Sequence, residues 1–195
     1  GPALQGVSQS ISKGELGELV GIDVVLTYGA WPRAWQIEAD WLRFRAEGGL
    51  TREVISHFLF FSERLMGPLQ VELSAPSYPE DPQLCETGLL ARLSSSRGSP
   101  INIFASVGGA QPDRQELTVK GTRLSRRISD FYIDAASNGG PFEELHKRPS
   151  DPRASSLKAQ LDDLLFCISG KPHRLASLDE ALRVQKLVEQ LLRGL

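Results

Sequence analysis

Between residues 69 and 134 the apolar residues arrive in short runs of alternating, often β-branched side chains, and each run is cut by a cluster of Pro, Gly, Ser or Asp. The runs lie at 71–75, 86–93, 101–107, 115–120 and 124–133, divided by breakers such as Tyr78-Pro79-Glu80-Asp81-Pro82 and Arg97-Gly98-Ser99-Pro100. Side chains of period two separated by turn-length gaps are the pattern of consecutive antiparallel strands, because a parallel neighbour requires a long crossover. The segment therefore predicts an antiparallel meander. One more strand is predicted over Leu19–Tyr28, where Val20, Ile22, Val24, Leu26 and Tyr28 fall on one alternating face before Pro32 interrupts the run.

Elsewhere the period changes to three and four. Val54, Phe58, Phe61 and Leu65 recur at helical spacing between Gly48-Gly49 and Gly67-Pro68, which predicts a largely buried helix. Leu4, Val7 and Ile11 predict a lead-in helix over 1–13 that Gly14 stops. A helix is expected over 156–169, with Leu157, Leu161, Leu164, Leu165 and Ile168 as its apolar stripe. A last helix opens at Ser177, which forms a capping box with Glu180, and runs through Leu182, Val188 and Leu192. Gly139-Gly140-Pro141 and Pro149-Ser150-Asp151-Pro152 read as loops, and Gly1-Pro2 as a protease scar or a cut edge. The fold class is α+β: a large, open, mainly antiparallel sheet with helices packed on one face, in a single domain spanning 1–195. The uncovered face predicts a homodimer through the sheet.

Composition narrows the function. The 195 residues are 41% hydrophobic and 24% charged, enough for one good core, and 22 Lys plus Arg against 24 Asp plus Glu give a formal charge of -2. Without a basic excess, non-specific nucleic-acid and anionic-membrane binding are excluded as first readings. No apolar run approaches the roughly 20 residues of a membrane span, and no signal segment opens the chain, so a soluble, cytoplasmic protein is expected. Cys85 and Cys167 share no CxxC spacing and read as reduced core residues. Neither a GxGxxG after a strand nor a GxxxxGK[ST] is present, so the chain is not expected to hold a dinucleotide by itself; Gly14-Glu15-Leu16-Gly17 precedes the first strand and reads as a turn.

Two groups of residues carry candidate chemistry. Glu53 and His57 stand four apart on the helix that follows Gly48-Gly49, where a carboxylate can orient or charge an imidazole suited to general acid–base work. The same spacing is met by a satisfied core histidine, and a metal reading lacks a third ligand. Trp31, Arg33 and Trp35 alternate beyond the strand and offer flat rings and a guanidinium to a polyol or carboxylate, or else two core tryptophans and a surface arginine. His173 reads as a loop residue, His146 as solvated, and Arg123, Arg126 and Arg127 as a solvated basic face.

Taken in order, Pro2-Ala3-Leu4, Gly14-Glu15-Leu16-Gly17-Glu18, Trp31-Pro32-Arg33, the helix from Gly48-Gly49 to His57, and Pro172-His173-Arg174-Leu175-Ala176-Ser177-Leu178-Asp179-Glu180-Ala181-Leu182 make the chain similar to the C-terminal domain of the glucose-fructose oxidoreductase and inositol dehydrogenase family (Gfo/Idh/MocA oxidoreductases). The resemblance covers essentially the whole chain. It implies an α+β substrate-binding and dimerisation domain, with an N-terminal Rossmann domain that binds NAD or NADP lying outside this chain and supplied in cis or in trans. The family's Glu-Lys-Pro segment would lie in that missing part. By resemblance His57 matches the histidine that acts near the reacting hydroxyl or carbonyl. Glu53 stands where an aspartate is usual, and Ile55 where a glycine is common. The implied activity is hydride transfer to or from a sugar, polyol or related cyclic alcohol, with the isolated chain inactive. The alternative is a non-catalytic dimerisation or small-molecule-binding module that keeps the fold alone.

Overall fold

β1 (Leu19–Tyr28) lies inside the sheet rather than at its start, and that placement organises the molecule. In the computed structural model, which describes residues 2–148 and 150–195, the readings made at Gly1 and Pro149 fall outside the described residues. The other strands are β2 (Leu69–Ser77), β3 (Gly88–Ser95), β4 (Pro100–Val107), β5 (Arg114–Gly121), β6 (Ser125–Ser129), β7 (Ile133–Ser137) and β8 (Glu143–Glu144). Among the described residues they form one sheet in the order β2-β3-β4-β1-β5-β6-β7-β8. β1 runs antiparallel to β5 but parallel to β4, so the pure meander is corrected to a mixed sheet with one parallel pair. The crossover that parallel pairing needs is the long β1-to-β4 excursion, which carries a helix and the β2–β3 hairpin.

The sheet's inner face is apolar on alternate residues: Ile22, Val24 and Leu26 from β1, Leu89 and Leu93 from β3, Ile101 and Ile103 from β4, Leu117 and Val119 from β5. Val20, expected on that face, is turned out. The register shifts between Leu19 and Gly21, and Gly21, at φ 155°, comes so close to β4 that a Cβ would meet the Pro100 carbonyl oxygen at 2.6 Å.

Three helices cover this face. α1 (Pro2–Ser12) inserts Ala3 and Val7; α2 (Ser56–Met66), entered through a π-helical stretch Thr51–Ile55, inserts Phe58, Leu59 and Met66; and α4 (Leu178–Arg193) inserts Val188 and Leu191. Truncating a ring as enclosed as Phe58 to alanine costs about 3–5 kcal/mol. α4 starts as its capping box requires: Ser177 Oγ accepts from the Glu180 N–H at 3.2 Å, and Glu180 accepts from the Ser177 N–H at 2.8 Å.

Four other expectations are corrected. The strand expected over 124–133 is two strands, β6 and β7, because Asp130 and Phe131 take φ of 50° and 66° and reverse the chain. α3 (Pro152–Ile168) forms, capped by the Asp151 carboxylate on the Ala154 N–H at 2.9 Å, but Leu157, Leu161, Leu164, Leu165 and Ile168 stay exposed because the helix does not pack substantially on the sheet. Cys167 rides on this helix and is exposed, whereas Cys85 is buried. Arg126 is buried rather than solvated and pairs with buried Asp134 while reaching Ser10 Oγ of α1. Among the described residues no helix is long and apolar enough to cross a membrane.

Candidate functional site

The space between α1, α2, α3 and the β6–β7 turn is a cavity of about 1480 Å³. Glu53, His57, Arg33 and Trp35 line it, so four of the five residues singled out in the sequence converge there. Trp31 sits behind them. Its indole N–H donates to the Leu42 carbonyl at 3.1 Å, and its ring centre lies 5.7 Å from that of Tyr28.

Arg33 is clasped by aromatic rings. Its guanidinium carbon lies 5.1 Å from the Tyr28 ring centre, 5.7 Å from Trp31 and 4.7 Å from Trp35, geometry that holds the fork in place by cation–π attraction. Gln36, which the sequence reading passed over, ties this group to the other. Arg33 donates to Gln36 Oε1 from its backbone N–H at 3.3 Å and from Nε at 2.9 Å, and Gln36 Nε2 donates to Glu53 Oε1 at 3.3 Å. Nothing in the spacing of a lone glutamine in a short helical turn, Ala34–Gln36, announces such a bridge.

His57 opens onto the cavity and meets Phe131 edge-on at 5.7 Å between ring centres. Phe131 also packs on Phe58 at 5.1 Å, so the β6–β7 turn, hidden in the sequence inside an apparent single strand, props the imidazole wall. Partial desolvation by the surrounding protein lowers the pKa of the ring, which the Glu53 carboxylate partly opposes. The shift favours the neutral imidazole, which can accept a proton and is exposed to a ligand. The Tyr28 hydroxyl is fully buried and has no hydrogen-bond partner among the described residues; burial and the negative charges of Asp113, Asp130 and Glu53 raise its pKa against the lowering effect of Arg33. Burial likewise raises the pKa of Asp130, reinforced by Glu116 and Asp113 and opposed by Arg148.

The glycine-rich start of the helix does not fit a dinucleotide pyrophosphate. The buried Glu86 carboxylate already accepts from the Thr51 N–H at 2.6 Å, and a Cβ on Gly49, at φ 107°, would lie 2.6 Å from Glu86 Oε2. A carboxylate there satisfies the helix N-terminus and repels a second anion. The glycine pair serves this tight approach and the turn, not a phosphate cradle.

No protein-family model matches the chain, and no curated protein matches its sequence. Solved structures do match its fold. A 3-ketoreductase from Actinomadura kijaniata (KijD10), solved with NADP and TDP-benzene, matches at 16% identity with a TM-score of 0.75, covering 100% of this chain and 59% of its own. The WlbA dehydrogenase from Bordetella pertussis, with NADH and UDP-GlcNAcA, matches at 18% identity and a TM-score of 0.72 over 100% of this chain and 61% of its own. An oxidoreductase from Agrobacterium radiobacter, with NAD+, L-tartaric acid and magnesium, matches at 16% identity and a TM-score of 0.73 over 96% of this chain and 57% of its own. The chain thus has the fold of one part of these oxidoreductases and spans about three-fifths of their length.

Proposed function

We propose that this chain is the substrate-binding and oligomerisation domain of a cytoplasmic, NAD(P)-dependent oxidoreductase of the glucose-fructose oxidoreductase and inositol dehydrogenase type, acting on a sugar, polyol or related cyclic alcohol. The observation that carries the reading is the position of His57: a neutral imidazole open to a large cavity, in a domain whose fold recurs in dinucleotide-dependent oxidoreductases. Oxidation of a carbinol to a carbonyl gives up a hydride and a proton, and the nicotinamide that exchanges the hydride belongs to a Rossmann domain in cis or in trans.

The residues of this chain manage the substrate and the proton. Arg33, held by Tyr28, Trp31 and Trp35, grips substrate oxygens, and Trp35 offers its exposed face to a ring. His57 takes the hydroxyl proton in the oxidative direction and returns it in the reductive one. Glu53, fixed by Gln36, sets the charge beside the imidazole without sharing its proton. The sheet face opposite the helices, with Leu73, Leu90 and Phe104 exposed, is the proposed homodimer surface.

The test is His57→Asn in the full-length protein, assayed with NADH and NADPH against a panel of keto-sugars. A fall in kcat of about a hundredfold or more, with substrate affinity retained, fits a proton-handling role. Unchanged turnover assigns the fold to a non-catalytic binding or dimerisation module. The 195-residue chain alone is expected to turn over nothing, and activity from it with NAD(P) overturns the division of labour.

A further inference from the structure

Among the described residues the cavity is lined by arginines of two kinds. Arg64 and Arg174 are occupied. Arg64 holds both carboxylate oxygens of Glu180, at 2.9 and 3.0 Å, and the carbonyls of Arg174 and Leu175, while Arg174 holds Asp163 at 3.1 Å. Arg33 and Arg153 are not occupied: among the described residues neither forms an ion pair, although both line the cavity. Both instead lie against one indole, their guanidinium carbons 4.7 and 5.4 Å from the Trp35 ring centre. Arg33 spends Nε on Gln36, which leaves its two terminal amino groups for a ligand.

Two guanidiniums without ion-pair partners among the described residues, both near one indole and both lining one cavity, form a receptor for a carboxylate or phosphate. A neutral sugar brings these guanidiniums no direct counter-ion, whereas a carboxylate or phosphate does. The carboxylates of the same cavity sort in a complementary way: Glu53 is bound by Gln36, Asp151 caps α3 and Asp163 pairs with Arg174, whereas among the described residues Asp113 and Asp130 form no ion pair and present acceptors suited to hydroxyl groups.

We propose that the substrate is a polyhydroxylated anion, a sugar acid or a sugar phosphate, whose negative group is held by Arg33 and Arg153 against Trp35 while its hydroxyls face Asp113 and Asp130. The inference rests on the cavity being the substrate site. Arg153 then makes α3 part of that site: it brings the second cation to an arginine placed by the loop after β1.

The test is a nuclear magnetic resonance titration of the 195-residue chain with D-glucuronate, D-glucose 1-phosphate and D-glucose, following the Trp35 indole N–H and the Arg33 Nε–H. At least one anion is expected to bind about tenfold or more tightly than glucose. Arg153→Gln should erase most of that advantage without changing glucose binding, and raising salt from about 0.05 M to about 0.3 M should weaken the anions alone. Preference for glucuronate identifies a carboxylate, and preference for glucose 1-phosphate a phosphate. Glucose binding as tightly as the anions, or anion affinity untouched by both Arg153→Gln and salt, overturns the inference and leaves the cavity reading standing. If none of the three ligands moves a cavity resonance, the cavity reading falls and the inference with it.

Discussion

Gln36 Nε2 donates to Glu53 Oε1 across 3.3 Å, and the direction of that bond is set from the other side, because Gln36 Oε1 is committed to two donors of Arg33. The amide can point only one way. Gln36 is 5% exposed, so water offers neither end a ready substitute. The aromatic clasp around Arg33 and the helix bearing His57 are therefore mechanically one unit.

Gln36→Leu keeps the volume and removes all three bonds. Glu53 is then free to turn towards the imidazole, and the His57 midpoint should rise by about half a unit or more, with about 1–2 kcal/mol of stability lost through the stranded Arg33 donors. The measurement is a titration of the His57 ring protons beside a urea melt. A midpoint that stays where it was in the parent protein would show that the bridge orients nothing.

The charge of Glu53 opposes the effect of burial on His57, so Glu53→Gln should push the His57 pKa further below its ordinary value. The sign for stability follows. In the folded state the imidazole binds its proton less readily than in the unfolded chain, so stability is highest above the unfolded pKa of about 6.5 and falls as pH drops through that value towards the folded one. Glu53→Gln should widen that window and steepen the loss between about pH 7 and pH 5. Urea midpoints that track the parent across this range would refute the assignment of Glu53 as the charge His57 feels.

The strands and helices facing the core were legible because their side chains repeat with the period of the surface they cover: Ile22, Val24 and Leu26 at two, Phe58, Leu65 and the apolar residues of α4 at three and four. What the period cannot say is which surface. Leu157, Leu161 and Leu164 also recur at helical spacing, yet they border the cavity and stay exposed. The β1–β4 pairing depends on chain returning from far away, which local pattern does not encode. Arg126 reads as a surface residue from its basic neighbours, and only the fold supplies Asp134 from the next strand and Ser10 from α1. His57 and Glu53 were legible as a pair at helical spacing, whereas Gln36 and Arg153 gain their roles from contacts between distant segments.

Arg126 and Asp134 are 4% and 5% exposed, joined by an ion pair whose guanidinium also reaches α1 through Ser10 Oγ and, at 3.5 Å, the Gly6 carbonyl. Removing one member of such a pair strands a buried charge, and Arg126→Met should cost about 3–5 kcal/mol. α1 should also loosen, because this guanidinium is its polar link to β6 and β7. Hydrogen exchange resolves the two effects: the amides of α1 should lose protection beyond what the global destabilisation explains. A loss below about 1 kcal/mol would mean that the pair contributes no more than an exposed ion pair.

On the face of the sheet turned away from the helices, Phe104 stands beside Leu90 on one neighbouring strand and Val25 on the other, with Leu73 exposed further along β2. Several polar groups of the same face are satisfied within the sheet: Arg92 pairs with Glu72, Lys120 with Asp23, and Asn102 donates to Asp23 at 2.9 Å. A second copy meeting this face would bury the apolar row against its own equivalent, as a two-fold interface requires. Phe104→Asp places two carboxylates across that axis. Sedimentation should show a dimer for the parent and a monomer for the variant, while the unfolding midpoint, measured at a concentration where both are monomeric, should shift by no more than about 0.5 kcal/mol because the ring lies outside the core. Equal masses for the two proteins would rule this face out as the interface.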